Sequence, residues 1–348
     1  MPDADAFVGE PARPEDPARH RLTLREEAAA TALGAASWFL ARLPAAPLHR
    51  LAHLVGVGWY LAAPGQRALA RANLRRVCTW LETNRMASPR VAAAAHDPAA
   101  LERLLRDAFG HRARYYLEVA RSAPLNRAFL ESHLILDNNG VVERILRRDG
   151  PALVLGLHLG ALELPAQYLT VSLGRHAVAP METLRNRPLQ AYLERSRGHS
   201  GVEILPTRGS REALERALRR GDVVGLIADR GVGRGGVAVR FFGAPARLPA
   251  GPGILEAEWG IPACAAAAIR SGWDGYRLIV LELERPLGGS PHERARQFLA
   301  SVATAYQRLI AEAPEQWWSI FQPLWDDLPV GPGAPGPPGS ERRGRSAA

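Results

Sequence analysis

The 348-residue chain contains no lysine, so all 44 of its basic residues are arginine. Without lysine the chain cannot form a Schiff base with a carbonyl substrate, and it cannot carry a Walker-type phosphate loop. Arginine side chains instead present planar, forked donors that suit phosphate and carboxylate groups. With a formal net charge of +9, the protein suits anionic partners such as anionic lipid or a phosphorylated cofactor.

Other absent patterns exclude further classes of protein. The sequence has no zinc-finger spacing and no RNP-like aromatic block, so no nucleic-acid partner is predicted. It has no G-x-S-x-G elbow, which disfavours a serine hydrolase, and no HExxH or paired-cysteine spacing to suggest a metal. Its two cysteines, Cys78 and Cys264, are far apart in apolar surroundings. We expect inert core thiols, which fit a reducing compartment.

The sequence also lacks an apolar run long enough to cross a bilayer. Residues 28–41 and 51–64 form two apolar runs of about 14 residues, short of the roughly 20 that a spanning helix needs. Both runs contain aromatic residues and have arginines near them, which favours a helical hairpin in a membrane interface. An ordinary pair of apolar helices packed on the core fits the pattern equally well.

Composition divides the chain into five predicted regions. The first and last are rich in proline and in small or polar residues, which indicates disorder, and the first has no secretory-signal apolar stretch. The regions are a disordered N-terminus (1–20), a helical membrane-interface region (21–85), a loop or insertion (86–100), an α/β domain (101–328) and a disordered tail (329–348).

The stretch that carries the chemistry is residues 151–169. An apolar run over 152–157 predicts a buried strand, which stops at His158, and Glu163 follows five residues later. The next segment resembles a helix start with Pro165 in its first turn. An imidazole and a carboxylate would then meet at the open end of a sheet, where α/β proteins bind ligands. The spacing by itself also fits a histidine that ends a strand near an unrelated surface glutamate.

A second block lies further along the chain. The pattern predicts a helix over 211–220 that ends at Gly221, then a strand, VVGLIA, that leads to Asp229 and Arg230. The following GVGRGG matches G-x-G-x-x-G, but the strand-like VAVRFF follows where a nucleotide-binding helix is required. A dinucleotide site is therefore not predicted.

Three blocks carry a resemblance to a known family. GLHLGALEL resembles the HX4(D/E) motif of the glycerolipid acyltransferase superfamily, and more narrowly that of the lipid A biosynthesis lauroyl/myristoyl acyltransferases and phosphatidylinositol mannoside acyltransferases. The segment from Asp229 through FFG to a proline/glycine turn is similar to a second block of this family. PEQWW and QPLW resemble its closing segment, especially in the phosphatidylinositol mannoside branch. The resemblance covers roughly residues 45–326.

The chain departs from the lipid A enzymes in two places. Ala161 stands where those enzymes carry an asparagine, and the arginine they place at the next strand has no clear counterpart near Glu182 and Thr183, with Arg185 beyond. These departures concern the acceptor more than the chemistry. The closing segment also contains three tryptophans that either pack the core, which we favour, or face a bilayer. They are Trp317, Trp318 and Trp325.

The resemblance implies an α/β fold with a central mixed β-sheet flanked by helices, similar to glycerolphosphate acyltransferases, with the N-terminal helical hairpin at a membrane interface. It implies transfer of a fatty acyl group from acyl-CoA or acyl carrier protein to a lipid hydroxyl, without a cofactor. His158 would act as general base, oriented by Glu163. Backbone amides near the helix start would stabilise the oxyanion. The implied substrate-binding residues are Arg197, Asp229, Arg230 and Arg234.

The acceptor and the location are also implied by the resemblance. The QPLW segment favours a phosphatidylinositol mannoside or similar glycolipid, with a lipid A precursor second and a lysophospholipid third. A thioesterase using the same dyad on water, or a catalytically silent lipid-binding relative, are the alternatives. We expect the protein at the cytoplasmic face of the cell (inner) membrane, in peripheral or interfacial contact with the membrane surface.

Overall fold

The computed structural model describes residues 22–121, 127–182, 184, 186–199, 201–207, 209–231 and 236–328. The ends that the sequence predicts to be disordered, 1–20 and 329–348, lie outside the described residues.

A run of helices precedes a sheet whose strands alternate with further helices. The helices are α1 (Leu24–Arg42), α2 (Ala45–Ala62), α3 (Pro64–Thr83), α4 (Pro89–His96), α5 (Pro98–Ala120), α6 (Arg127–His133), α7 (Leu164–Gln167), α8 (Arg187–His199), α9 (Arg211–Arg220), α10 (Gly251–Trp259) and α11 (Pro291–Glu312). The strands are β1 (Leu134–Asp137), β2 (Ala152–Gly160), β3 (Ala177–Met181), β4 (Val202–Pro206), β5 (Val223–Ile227), β6 (Val237–Phe241), β7 (Ala244–Leu248), β8 (Ala263–Ser271) and β9 (Gly275–Glu282). Short π-type turns occupy Val142–Leu146 and Tyr168–Ser172, and 3-10 turns occupy Pro314–Gln316 and Trp318–Phe321.

Seven strands form the central sheet in the order β1-β9-β8-β2-β5-β3-β4. Neighbouring strands are parallel except for the antiparallel pair β8 and β9. The middle strands β2 and β8 are largely buried, which is why their sequences are nearly continuous apolar runs instead of alternating patterns. Strands β6 and β7 form a separate antiparallel hairpin. The predicted α/β class with a central mixed sheet is confirmed.

The stretch 86–100, which the sequence analysis assigned to a loop or insertion, is mostly helical, so the loop assignment is wrong. Ser88 caps α4 by accepting the backbone N–H of Val91, and Pro89 occupies the first turn, where its missing N–H costs nothing. Asp97 then accepts two backbone N–H groups at the start of α5. These caps sit beside strong alanine helix formers, and together they outweigh the loop-like composition.

The N-terminal helices agree with the helical prediction for residues 21–85. Helix α2 packs along α5, and α1 packs against α8, where the Tyr192 hydroxyl donates to Ser37 Oγ at 2.9 Å. The α2–α5 contact is very close at Gly56, because a Cβ there would lie 2.3 Å from the Phe109 carbonyl oxygen. No helix within the described ranges combines the length and apolar character needed to cross a membrane.

One hydrophobic core joins the helical region to the sheet. Its fully buried side chains include Leu74 on α3, Phe109 on α5, Leu155 on β2 and Tyr306 on α11. Both cysteines are free and buried, and burial raises the pKa of each thiol to about 12. The prediction of buried core thiols is confirmed.

Candidate active site

His158 and Asp229 meet because they lie at matching positions on neighbouring parallel strands, His158 within β2 and Asp229 just past the end of β5. Gly156 of β2 pairs with Ile227 of β5, so residues two positions further along each strand stand side by side at the carboxyl edge of the sheet. Nδ1 of His158 lies 2.7 Å from Oδ1 of Asp229. This edge is where parallel sheets collect functional side chains.

The Asp229 carboxylate is fully enclosed and has many partners. Its Oδ2 accepts the backbone N–H of His158 at 3.1 Å, the indole N–H of Trp317 at 2.8 Å and the Ser319 hydroxyl at 2.7 Å. None of its side chain is exposed. The substrate-binding role that the resemblance implies for Asp229 does not fit this geometry, because its buried oxygens already accept hydrogen bonds from the protein.

The electrostatics of Asp229 fix the tautomer of His158. Burial by itself raises the pKa of Asp229, but the charge of a protonated His158 and the hydrogen bonds from His158, Ser319 and Trp317 outweigh burial and hold that pKa well below its usual range. The ionised carboxylate can only accept, so Nδ1 of His158 donates to it. In the neutral imidazole the lone pair then lies on Nε2, as a general base requires.

Glu163 has a different partner from the one expected. Its carboxylate binds the guanidinium of Arg197 through two contacts, 2.5 Å and 3.1 Å long. Both side chains are 20% exposed. Within the described part of the chain, the imidazole of His158 donates a hydrogen bond to Asp229 and makes none with Glu163. The expectation that Glu163 orients His158 is corrected because Arg197, on α8, draws the glutamate away.

The other predicted arginines are placed as follows. Arg197 was expected to bind substrate and is instead held in the forked ion pair with Glu163. Arg230 follows Asp229 and lies 3.4 Å from the carboxylate of Glu182, with 24% of its side chain exposed. Arg234 lies outside the described residues.

Arg270 is a site residue that the sequence analysis missed. Its buried guanidinium forms a two-point ion pair with Glu118 at 2.7 Å and 2.6 Å, and it donates to the Gly160 carbonyl at 2.9 Å. Gly160 adopts φ +64°, and a Cβ there would lie 2.0 Å from the Ala268 carbonyl oxygen, so only glycine fits this bend. Arg270 therefore anchors the chain directly after His158.

A small cavity opens beside His158. Its wall combines aromatic side chains with ionisable groups from α5, the turn after β2, β8 and the closing segment. Burial lowers the pKa of His111 in this wall and raises the pKa of Glu315. The lining residues are Ala108, His111, Arg112, Tyr115, His158, Gly160, Leu162, Arg270, Glu315, Gln316, Trp318 and Phe321.

The closing segment supplies both support and lining. Trp317 and Trp325 are buried, which confirms the core-packing prediction for these two, and Trp317 also donates to Asp229. Trp318 is half-buried, and its ring meets that of His158 edge to face, with centroids 5.0 Å apart. The density of aromatic residues in PEQWW was the sequence signal for this contact, but spacing could not indicate which ring faces the cavity.

An α/β sheet with a carboxylate-held histidine at its carboxyl edge, beside a partly apolar cavity, defines a site for removing a proton from a bound ligand. The model of the bacterial lipid A biosynthesis acyltransferase family matches residues 18–326. The chain belongs to this family and is an acyltransferase.

The chain is similar to two proteins named phosphatidylinositol mannoside acyltransferase. The chain is 30% identical over 218 residues to a phosphatidylinositol mannoside acyltransferase of Mycobacterium tuberculosis (strain ATCC 25618 / H37Rv), covering 61% of this chain and 67% of the relative. It is 28% identical over 228 residues to the protein of the same name in Mycolicibacterium smegmatis, covering 64% and 72% respectively.

Proposed function

We propose that this enzyme transfers a fatty acyl group from acyl-CoA or acyl carrier protein to a hydroxyl of a phosphatidylinositol mannoside or similar glycolipid. The observation that carries the proposal is the His158–Asp229 pair beside a cavity. The names of the similar mycobacterial proteins favour the phosphatidylinositol mannoside acceptor over a lipid A precursor or a lysophospholipid.

The proposed reaction needs one base and no protein nucleophile. Nε2 of His158 removes the proton of the acceptor hydroxyl while its oxygen attacks the thioester carbonyl carbon. Asp229 stabilises the imidazolium that forms. When the tetrahedral intermediate collapses, the carbon–sulfur bond breaks and the proton passes to the departing thiolate. The products are an ester and a free thiol.

We assign different tasks to the remaining predicted residues. Glu163 and Arg197 hold α8 against the start of α7 through their half-buried ion pair. Arg230 is proposed to bind the anionic headgroup of the acceptor together with Arg234, four residues further along the sequence, because a guanidinium matches phosphate geometry.

The test of the proposed function compares His158→Ala with the wild-type protein. A radiolabelled acyl donor is supplied as acyl-CoA or acyl carrier protein, with phosphatidylinositol mannoside, a lipid A precursor or a lysophospholipid as acceptor. We expect the wild type to label the first acceptor and His158→Ala to lose the activity at least 1,000-fold, the scale of removing a general base together with its positioning. His96→Ala is the matched control, since its side chain is 71% exposed.

Other outcomes identify the alternatives. Consumption of the thioester without a labelled lipid would indicate a thioesterase, and no consumption would indicate a silent lipid-binding protein. Labelling of a different lipid would change the acceptor but keep the chemistry. Wild-type transfer by His158→Ala would refute the assignment of the base. Mass spectrometry of lipids from a strain lacking the gene, compared with its parent, checks the acceptor in the cell.

We also propose that α2 rests on the lipid bilayer at the cytoplasmic face of the cell membrane. Its solvent-facing side carries a stripe of four aliphatic side chains at helical spacing, each at least 59% exposed, beside the exposed Arg50. The neighbouring α1 exposes Trp38, which suits a membrane interface. A lipid acceptor must also be drawn from a bilayer. The stripe consists of Leu51, Leu54, Val55 and Leu61.

Flotation with vesicles of phosphatidylinositol and phosphatidylethanolamine tests this surface. The double variant Leu54→Glu/Leu61→Glu should lose most vesicle binding, because it places two charges in the stripe. Leu287→Glu is the control, since Leu287 is fully exposed on a loop away from α2. Equal flotation of all three proteins would contradict the proposed orientation.

A further inference from the structure

The indole N–H of Trp318 is a buried donor beside the His158 cavity. Among the described residues it has no hydrogen-bond acceptor, although it is shielded from solvent. The other tryptophans of this segment do have acceptors: Trp317 donates to Asp229 and Trp325 donates to the Phe241 carbonyl. A buried donor without a partner costs folding free energy, so a ligand oxygen that pairs with it recovers that cost.

The ring of Trp318 is held in place by its neighbours. It stacks on Tyr115 with centroids 5.2 Å apart and an interplanar angle of 27°, and it stands edge to face on His158. The preceding residue, Trp317, bridges to Leu159 of β2 through the backbone and to Asp229 through its indole. The contacts of Trp317 that support His158 and Asp229 therefore also fix the backbone position of Trp318.

Arg112 brings a positive charge to the same wall. Its guanidinium carbon lies 4.3 Å from the Trp59 ring centroid, 4.6 Å from that of Phe321 and 6.0 Å from that of Trp318. Its Nε is also buried without an acceptor among the described residues. A cation in an aromatic, poorly hydrated wall interacts strongly with a negative charge that develops nearby.

Two backbone amides in the turn after His158, where the sequence analysis expected oxyanion donors, already have acceptors within the protein. The N–H of Ala161 already donates to the Ala268 carbonyl at 2.7 Å, and the N–H of Leu164 donates to the Ala161 carbonyl at 3.1 Å. These two amides are committed to holding the turn. Among the described side chains that line the cavity, the indole N–H of Trp318 and the Nε–H of Arg112 are donors without an acceptor.

We propose that the Trp318 N–H and the Arg112 guanidinium stabilise the oxyanion of the acyl-transfer intermediate. This inference rests on the proposed acyltransferase reaction. As the acceptor oxygen bonds to the thioester carbon, the carbonyl π electrons move to oxygen, and Trp318 and Arg112 bind the resulting negative charge. When the carbonyl re-forms, the carbon–sulfur bond breaks and the thiolate takes the proton held by His158. Both side chains bind the transition state more tightly than the ground state.

The closing experiment compares Trp318→Phe with Trp80→Phe. The first removes the N–H and keeps an aromatic ring, and the second removes a partly buried indole on α3 that packs on Phe242 away from the cavity. With the acyl donor that the wild type uses, kcat of Trp318→Phe should fall about 10- to 100-fold. This is somewhat less than the effect of removing one donor from a rigid oxyanion hole. KM for the donor should change less than threefold, and Trp80→Phe should keep the wild-type kcat.

Arg112 is tested in the same assay. Arg112→Gln should lower kcat tenfold or more relative to the wild type. Arg103 is an exposed arginine on the same helix, and Arg103→Gln should leave kcat unchanged. A kcat within threefold of wild type for both Trp318→Phe and Arg112→Gln would overturn the inference. A rise in KM with kcat unchanged would overturn it as well, because it would indicate that the two side chains bind the ground state and the transition state equally.

Two further readouts separate the possible failures. If the wild type transfers no acyl group, the proposed function fails; if it does and the variants match it, only this inference fails. If Trp318→Phe does not fold, the inference is tested on the wild-type protein through the NMR signals of its indole ¹⁵N–H groups. An acyl-CoA analogue with a ketone in place of the thioester should move one indole signal downfield, and no movement would refute the inference.

Discussion

Replacing Asp229 with asparagine tests which carboxylate orients His158, the proposed general base. The change keeps the shape of the side chain but exchanges one acceptor oxygen for an NH₂ donor. Oδ2 accepts three donors, so the asparagine oxygen is best placed there. The NH₂ group then faces Nδ1 of His158, where Oδ1 was the acceptor. Nδ1 must become an acceptor, so the ring proton moves to Nε2 and the base loses its lone pair.

The size of the effect follows from this change of tautomer. Imposing the wrong tautomer on a catalytic histidine by the same substitution in a serine protease lowers kcat on the order of 10⁴-fold. Here we expect a fall of about 10³- to 10⁴-fold, since the geometry of the pair is preserved. Folding stability should drop by about 1.5–3 kcal/mol, because a hydrogen bond to a buried charged group is lost.

Glu163→Gln is the contrasting variant in the same acyl-transfer assay. It weakens the ion pair with Arg197 but leaves the His158–Asp229 contact intact, so kcat should fall about tenfold or less, comparable to other indirect perturbations of site geometry. Thermal unfolding of both variants checks that each is folded at the assay temperature. The reverse order, with Glu163→Gln inactive and Asp229→Asn active, would show that Glu163 orients His158 during turnover and would refute our reasoning.

Three other properties can be measured directly. A methyl group at Gly56 would lie 2.3 Å from the α5 backbone, so Gly56→Ala should destabilise the protein by about 1–3 kcal/mol in urea unfolding. Gly58→Ala, on the open side of the same helix, should be neutral or stabilising by up to about 1 kcal/mol. Because burial raises the pKa of Cys78 and Cys264 to about 12, neither thiol should react with DTNB at pH 8 until the protein unfolds. Because the folded-state pKa of Asp229 is depressed, its stabilising contribution is complete above its unfolded pKa of about 3.9 and is lost as the pH falls further. The stability gap between wild type and Asp229→Asn should therefore be constant above about pH 5 and shrink below about pH 3.

Local sequence patterns predicted those helices, strands and turns that are determined by residues close together in the chain. The strand before His158, the Pro165 turn and the helix ending at Gly221 all follow from burial, proline and left-handed glycine preferences. The loop assigned to 86–100 was wrong because capping by Ser88 outweighs composition. The partner of His158 was beyond such reasoning, since Asp229 lies 71 residues away and is brought close by strand pairing.

Strand register explains why the carboxylate that pairs with His158 is Asp229 and not Glu163, the carboxylate of the HX4(D/E) motif. In a parallel pair, residues that stand opposite each other keep a constant offset, and the offset between β2 and β5 is the one that places Asp229 beside His158. A shift of one residue would turn the carboxylate to the other face of the sheet.

Glu163, five residues past His158 on a separate turn, is free to bind Arg197 and so to link the turn after His158 to α8. Since α8 also packs against α1, the same ion pair couples the site to the helix proposed to lie near the membrane. We therefore expect Glu163 to affect the placement of the acceptor more than proton transfer, which a larger change in acceptor KM than in kcat for Glu163→Gln would demonstrate.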